Sequence, residues 1–206
     1  MNPAPARSTK SRAARMHASK DEPVELSDED LMLGFARGED ACWAEIVGRY
    51  QRRIFNYLLR SVRDQATAED LVQSTFVRVA EARRHYRPTA RFSTWIYTIA
   101  TNLARDEARR LARHDTKEIV APDSIASDLP GPERAAETSE RARRIAAAVD
   151  TLPDSMREAL LLAKYEERGY EDIAEILDCT VGAARVRIHR AITMLREQLG
   201  VDDDEM

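Results

Sequence analysis

Large side chains recur along most of this chain at intervals of three and four residues, the spacing that places them on one face of an α-helix. Three such stripes fill the first half of the sequence. They comprise Trp43, Ile46, Val47, Tyr50, Ile54 and Leu58; Ala68, Leu71, Val72, Thr75, Phe76 and Val79; and Phe92, Ile96, Ile99 and Leu103. A shorter helix, from Asp28 to Arg37, is predicted before them, with Ser27 as its N-cap. Because these helices are amphipathic, they can enclose a shared core.

The helical pattern is interrupted over residues 114–138. That segment contains three prolines and one glycine, has an excess of acidic residues and holds few large apolar ones, which is typical of a flexible linker. Periodicity returns near Arg141 and continues to Leu199. Since no run shows the sustained alternation of a β-strand, the sequence predicts an all-α protein of two small helical domains. The predicted segments are a disordered basic tail at 1–24, a domain at 25–113, the linker, a domain at 139–200 and an acidic tail at 201–206.

The last two predicted helices have the pattern of a helix-turn-helix. Asp172 to Leu177 is a short amphipathic segment, and Asp178, Cys179 and Thr180 form the turn, with Thr180 as the N-cap of the next helix. One face of that helix is apolar and comprises Val181, Ala184, Ile188, Ala191 and Leu195. The opposite side carries Arg185, Arg187, His189 and Arg190. An ordinary helical hairpin with a solvated face is the alternative interpretation.

The charge distribution changes the meaning of the net charge. The 206 residues sum to -4, which by itself argues against nucleic-acid binding. Yet the segment 83–113 contains eight arginines against two acidic residues, and the segment 185–196 contains four arginines and no acidic residue. Two separate basic segments on an acidic protein favour phosphate contact at two places. Solvated helix faces are the alternative for either segment alone.

Composition argues against several classes of protein. Cys42 and Cys179 lie far apart, which predicts a reducing compartment and no disulfide framework. The four histidines are scattered, and the sequence has neither a Gly-rich phosphate loop nor a cluster with metal-ligand spacing, so we predict no catalytic residues, no metal and no cofactor. The chain lacks an apolar run of about 20 residues, so no membrane insertion is expected. A cytoplasmic protein is predicted, and an enzyme is the weakest reading.

Four stretches, in chain order, resemble the extracytoplasmic-function group of the sigma-70 family. ARGEDACWAEIVGRY resembles that family's opening helix, ATAEDLVQSTFVRV its polymerase-binding helix, and FSTWIYTIATNLARDEARR the helix that meets the minus-ten promoter element. The segment LPDSMREALLLAKYEERGYEDIAEILDCTVGAARVRIHRAITMLRE resembles the domain that reads the minus-thirty-five element. The resemblance implies a transcription initiation factor that binds core RNA polymerase, directs it to promoters and helps to melt the minus-ten region.

The resemblance also implies partners and contact residues. The implied partners are the clamp helices of the polymerase's largest subunit, the flap of the second largest subunit, promoter DNA and an anti-sigma factor. The implied polymerase contacts are Asp70, Gln73, Thr75 and Phe76. The implied minus-ten contacts are Arg91, Phe92, Ser93, Asn102, Arg105, Arg109 and Arg110. The implied minus-thirty-five contacts are Thr180, Arg185, Arg187, His189 and Arg190.

Individual roles follow from side-chain chemistry. The Asn102 amide can donate to and accept from a base edge, and arginines can hold the backbone of unpaired DNA. Arg187 is the best candidate for a base contact and Arg190 for a phosphate contact. For Phe76, and more strongly for Trp95 and Tyr97, a position in the core is the competing interpretation.

Two departures from the family pattern limit what can be transferred. Asp178 stands where the family commonly has glycine, and Ala183 to Arg187 stands where it often has Thr-Val-Lys-Ser-Arg, so the base preference at the minus-thirty-five element does not carry over. A helix-turn-helix repressor or activator, or a sigma mimic that no longer binds DNA, is the alternative function. Binding to core polymerase separates the repressor from a sigma factor.

Overall fold

The computed structural model describes residues 26–114 and 132–200, and within these ranges the chain forms eight α-helices. In chain order they are α1 (Asp28–Ala36), α2 (Asp40–Val62), α3 (Gln65–Ala82), α4 (Phe92–His114), α5 (Pro132–Asp150), α6 (Asp154–Lys164), α7 (Tyr170–Ile176) and α8 (Val181–Leu199). Every regular element in these ranges is helical, and this confirms the predicted all-α fold class.

The helices α1 to α4 enclose one core. The apolar stripes of α2, α3 and α4 face one another, and Ile54, Val79 and Ile96 at their centres are fully buried. Helix α1 closes one end, where the Glu29 carboxylate accepts a hydrogen bond of 2.6 Å from the backbone amide of Phe92. A carboxylate at this place satisfies an amide at the start of α4 and interacts favourably with the helix dipole. Helix α1 therefore helps to position α4.

The helices α6, α7 and α8 build a second core, and α5 packs along α8. The side chains of Leu162, Ile173 and Ile188 are buried there. Ala174 and Ala184 are also buried, in α7 and α8 respectively. Small side chains at these positions allow the two helix backbones to approach closely, as a helix-turn-helix requires.

The predicted linker is partly wrong. Helix α5 begins at Pro132, so the segment 132–138 is helical and periodicity near Arg141 marked the helix too late. Proline is favourable at the first helical position because its φ is already suitable, and alanine and glutamate have high helix propensity. Large apolar residues are scarce in that turn, and the periodicity criterion depends on them. The rest of the predicted linker and both predicted tails lie outside the described residues, apart from His114, the last residue of α4.

The two groups of helices contact each other. Helix α4 lies against α7, and α2 lies against α6. Most of the printed contacts between the groups are hydrogen bonds and ion pairs, such as the 2.9 Å bond from Arg63 to the carbonyl oxygen of Asp150. This contact covers part of the surface that the sequence predicts for DNA.

Candidate nucleic-acid interfaces

The turn between α7 and α8 is explained by its local sequence. Asp178 adopts a left-handed conformation with φ of 50°, which aspartate tolerates better than most residues. The Cys179 amide donates to the carbonyl oxygen of Ala174 at 2.9 Å, and the Thr180 hydroxyl accepts from the Ala183 amide at 3.1 Å. These bonds satisfy backbone groups at the end of one helix and the start of the next. The predicted helix-turn-helix and its N-cap are therefore confirmed.

The outward side of α8 carries the residues predicted for the minus-thirty-five element. Arg185, His189 and Arg190 are exposed, whereas Arg187 is half-buried. Thr180 is exposed as well, and its hydroxyl oxygen is engaged in capping the helix. The arrangement leaves one side of α8 available to a DNA groove, because its apolar side is held in the core.

Two further side chains lie at this face and were missed by sequence reasoning. Val186 is 47% exposed beside Arg185, where an apolar group can contact a thymine methyl. Tyr170, at the start of α7, packs under the Arg185 guanidinium, whose central carbon lies 5.1 Å from the ring centroid. The position of Val186 outside the apolar stripe of α8 was a usable signal. The Tyr170 contact joins two helices and has no local signal.

Helix α4 exposes three of the residues predicted for the minus-ten element. Asn102, Arg109 and Arg110 are exposed. Arg109 pairs with Asp106 at 3.0 Å and Arg110 with Glu107 at 2.6 Å, in each case one turn earlier in the same helix. Exposed pairs of this kind contribute little to stability, so both guanidinium groups can exchange their carboxylate for a phosphate.

Arg105, also on α4, has a partner in the other group of helices. Its Nε and Nη2 atoms donate to the Glu158 carboxylate at distances of 3.1 Å and 2.7 Å. The hydrogen bonds to Glu158 raise the pKa of the Arg105 guanidinium, since they stabilise its charged form. The ion pair is half-buried, with 28% and 13% of the two side chains exposed.

Two more predicted minus-ten residues also have partners across this contact. The Arg91 guanidinium lies 3.4 Å from the Asp172 carboxylate, and the Ser93 hydroxyl accepts a hydrogen bond of 2.7 Å from Arg168. Asp172 additionally accepts from the Thr94 hydroxyl at 3.2 Å. The start of α4 is therefore bound to α7 and to the loop before it.

The structure corrects the position predicted for Phe92. It is the first residue of α4 and not part of a loop, and its side chain is fully buried. Its ring packs edge-on against Tyr50 and Trp95, with centroids 5.2 Å and 5.8 Å away. Such aromatic packing contributes to the core. The phenyl ring of Phe92 does not face DNA in this structure, and Tyr97 is likewise a core residue.

The predicted polymerase-binding helix, α3, presents a different set of side chains from the one expected. Asp70 and Gln73 are exposed, as predicted. Thr75 is fully buried and its hydroxyl donates to a backbone carbonyl, and Phe76 is 9% exposed, so these two face the core. Val77 is 54% exposed and borders the same shallow groove as Asp70 and Gln73. The apolar contact expected from Phe76 is therefore available from Val77, one residue further on.

Metal and membrane chemistry find no support in the parts of the chain that the structure describes. Within 26–114 and 132–200 no group of three or more potential ligand side chains could hold a metal ion. In the same ranges, no helix combines the length and the apolar character needed to cross a bilayer.

Two family models match the chain. The model "Sigma-70 region 2" matches residues 46–114, and "Sigma-70, region 4" matches residues 142–195. The first match covers most of α2, all of α3 and α4, and the second runs from α5 into α8. Each match thus falls on one of the two groups of helices.

Curated relatives align over most of the chain. The RNA polymerase sigma factor CarQ of Myxococcus xanthus is 35% identical over 82% of this chain and 95% of its own length. The RNA polymerase sigma-H factor of Pseudomonas aeruginosa is 32% identical over 80% and 89%. The ECF RNA polymerase sigma factor SigE of Mycolicibacterium smegmatis is 34% identical over 88% and 73%.

Solved structures share the fold at lower sequence identity. The sigma factor RpoE of Bartonella quintana, in complex with the anti-sigma factor NepR, superposes with a TM-score of 0.66 at 23% identity, over 78% of this chain and 98% of that one. CnrH, in complex with the cytosolic domain of CnrY, gives 0.64 at 23% identity, over 85% and 99%.

Proposed function

The chain belongs to the sigma-70 family of RNA polymerase sigma factors, in its extracytoplasmic-function group, and on this basis we propose how its surfaces direct core RNA polymerase to promoters. It is a transcription initiation factor that acts by binding and catalyses no reaction of its own. The described N-terminal helices, in a domain spanning 25–113, bind polymerase and the minus-ten element. The C-terminal domain, at 139–200, reads the minus-thirty-five element.

One observation carries this function most directly. The turn at Asp178 and Thr180 holds α8 on the core, with Arg185 and Arg190 exposed on its other side. A rigid helix with exposed arginines and an exposed Val186 fits the major groove, where arginine reads guanine or phosphate and an apolar side chain contacts thymine. Separate basic groups on α4 provide the second DNA contact that a sigma factor needs.

The polymerase contact is formed by Asp70, Gln73 and Val77 on α3. An exposed valine between polar side chains offers apolar area in the centre and hydrogen bonds at the rim, which is the usual composition of a protein interface. The partner surface is the clamp helices of the largest polymerase subunit, and the flap of the second largest subunit binds the C-terminal domain. Action on polymerase and promoter DNA implies that the protein works in the cytoplasm.

Substitutions on α3 test the polymerase contact. The double variant Asp70→Ala, Gln73→Ala and the single variant Val77→Asp should each bind core polymerase at least about tenfold more weakly, because central interface residues dominate affinity. His85→Ala, also exposed in the same domain, is the matched control. Affinity is measured by titration against labelled core enzyme. Undiminished affinity in all variants would remove α3 from the interface, and no binding by the wild type would favour a simple helix-turn-helix repressor.

The minus-ten contact depends on Asn102, which captures an unpaired base. Because Asn102 is exposed, Asn102→Ala should leave the melting temperature and holoenzyme formation unchanged. Promoter opening should fall by about tenfold or more, since an amide that pairs with a base edge discriminates by roughly 1–3 kcal/mol. Permanganate reactivity of the minus-ten region measures opening.

A promoter that is already unpaired in this region provides the control for Asn102→Ala. It should restore much of the lost complex, because separating the strands no longer has to be driven by the protein. Normal opening by the variant on duplex promoters would show that Asn102 does not contact DNA.

Regulation by an anti-sigma factor is part of the proposal. Two solved structures with this fold are complexes of a sigma factor with such a partner or with its cytosolic domain. A partner of that type that covers α3 and α8 would block polymerase and DNA together. Co-expression with a candidate anti-sigma protein, followed by co-purification, tests the idea.

A further inference from the structure

Three carboxylates of the C-terminal helices face the basic side of the N-terminal helices. Glu158 lies on α6, Glu166 in the loop after α6 and Asp172 on α7. Their hydrogen-bond partners include side chains of α2 and α4. The contact between the two groups of helices is thus electrostatically complementary and is formed by side chains with opposite charges.

Glu166 forms the most buried part of this contact. Its carboxylate accepts a hydrogen bond from the Tyr97 hydroxyl and lies 3.3 Å from Nε of Arg53. Glu166 is 6% exposed and Tyr97 is fully buried. The Arg168 guanidinium covers the other side of the same ring, 4.9 Å from its centroid. A buried carboxylate with a hydroxyl and a guanidinium partner holds the two groups of helices in one arrangement, because separating them leaves polar groups without partners.

The ion pairs around Glu166 imitate contacts to DNA phosphate. Two nitrogen atoms of Arg105 donate to Glu158, and the same fork of donors binds a phosphate. Asp172 similarly lies at Arg91, and Ser93 is occupied by the Arg168 guanidinium. A DNA strand at these positions would have to displace the C-terminal helices.

We propose that, in the protein without polymerase, the C-terminal domain occupies the minus-ten DNA surface, with Glu158 and Asp172 at the positions of DNA phosphates. The inference rests on the proposed function of that surface and adds its regulation. The closed arrangement prevents the free protein from binding unpaired DNA, and the chain must open before Arg91, Ser93 and Arg105 contact a promoter. A cation-binding surface on one domain and its acidic occupant on the other thus belong to one chain.

An opening variant tests the proposal on the full-length chain. Glu158→Ala, Asp172→Ala removes two interface carboxylates, whereas Glu175→Ala, Glu197→Ala removes two exposed ones in the same domain. Both variants change the net charge equally, so non-specific attraction to DNA rises equally. The opening variant should bind a fluorescein-labelled single-stranded oligonucleotide about tenfold more tightly than the control, if about a tenth of the wild type is open. It should also have a larger radius of gyration in X-ray scattering. Equal affinity and equal size of the two variants would overturn the proposal.

A covalent lock provides a second test that does not depend on weakening the interface. The Thr94 hydroxyl and the Asp172 carboxylate are 3.2 Å apart, so Thr94→Cys, Asp172→Cys in a background with Cys42→Ala and Cys179→Ala places two thiols close together. Oxidised glutathione should form the disulfide and reduce oligonucleotide affinity at least about tenfold relative to the same protein after reduction. A disulfide-bonded form that binds the oligonucleotide as well as the reduced form would contradict the closed state.

These tests are independent of polymerase. If the wild type failed to direct initiation by core enzyme, the proposed function would be wrong, and the oligonucleotide and scattering comparisons would still report whether the C-terminal domain covers the basic surface. If initiation is normal and neither the opening variant nor the lock changes DNA binding, only the occlusion is wrong.

Discussion

Two helices of this protein carry arginines for DNA, and their surroundings differ. On α8, Arg185 and Arg190 are exposed, and the printed neighbour of Arg185 is the ring of Tyr170. On α4, Arg105 is held by a carboxylate of the other domain and Arg110 by one in its own helix. The arginines on α8 can meet phosphate directly, whereas those on α4 must first exchange a carboxylate.

This difference explains how an acidic chain can bind DNA. Carboxylates that neutralise α4 contribute to the net charge of -4 without preventing DNA contact, because a phosphate can replace them. The same exchange makes the minus-ten surface conditional on the arrangement of the two domains. The minus-thirty-five surface has no such dependence among the described contacts of Arg185 and Arg190.

The largest effect is expected from changing the side of α8 that faces the core. Ile188 is 4% exposed and Val186 is 47% exposed on the same helix. Ile188→Ala should lower the free energy of unfolding by about 2–5 kcal/mol, since it leaves a cavity. Val186→Ala should change stability by less than about 0.5 kcal/mol and weaken only DNA binding. Urea denaturation beside a minus-thirty-five duplex titration separates the two. Similar stability losses would contradict the assigned faces.

Arginine substitutions on α8 should divide into two types. Arg187→Ala should relax sequence preference at one position by about 1–3 kcal/mol, whereas Arg190→Ala should weaken all duplexes alike and reduce the salt dependence by roughly one phosphate contact. Titrations against single-base variants at several salt concentrations measure both. Because Arg187 is half-buried, the opposite result, a uniform loss for Arg187→Ala, would assign it to the scaffold.

Removing single carboxylates should separate the contact between the domains from pairs within one helix. Glu158→Ala leaves the half-buried Arg105 without its partner and should cost about 1–2 kcal/mol of unfolding free energy. Asp106→Ala breaks an exposed pair with Arg109 and should cost about 0.5 kcal/mol or less. Thermal and urea unfolding are the measurements. Equal costs would indicate that the contact between α4 and α6 contributes no more than a surface pair.

The smallest effect is expected at the turn before α8. Asp178 has a left-handed φ of 50°, a conformation that glycine adopts with less strain. Asp178→Gly should therefore leave stability unchanged or raise it by up to about 1 kcal/mol, with DNA binding retained. Asp178→Val is the opposite control and should be destabilising, because a β-branched residue is strained at positive φ. A stabilising valine would exclude this explanation of the turn.

Local chemistry made parts of the fold predictable. Ser27 and Thr180 are N-caps as predicted, and both accept a hydrogen bond from the amide three residues later. A capping side chain acts within one helical turn, so its neighbours in sequence are sufficient to predict it. The left-handed turn at Asp178 is predictable for the same reason.

Side-chain direction was less predictable. Thr75 and Phe76 were expected at an interface and lie in the core, while Val77 is exposed. Adjacent residues on a helix differ by about a quarter turn, so a small error in the helix phase exchanges the surface for the core. Phe92 was misplaced because the helix α4 starts one residue earlier than a loop role requires.

The contacts between domains could not be predicted from sequence. Glu158 and Arg105 are 53 residues apart in the chain, and each looks like an ordinary surface residue of its own helix. Their pairing depends on how two separate cores come together, which neither periodicity nor capping reports. The same holds for Tyr170 and Arg185.

The most direct test of the central claim is in vitro transcription with purified core RNA polymerase on fragmented genomic DNA of the source bacterium. Sequencing of the transcript ends compares core enzyme alone with core enzyme plus this protein. The account predicts new start sites in the presence of the protein, all preceded by two shared sequence elements at a fixed spacing. It also predicts that Asn102→Ala greatly reduces transcription from these starts. An unchanged set of transcript ends with and without the protein would contradict its role as a promoter-directing sigma factor.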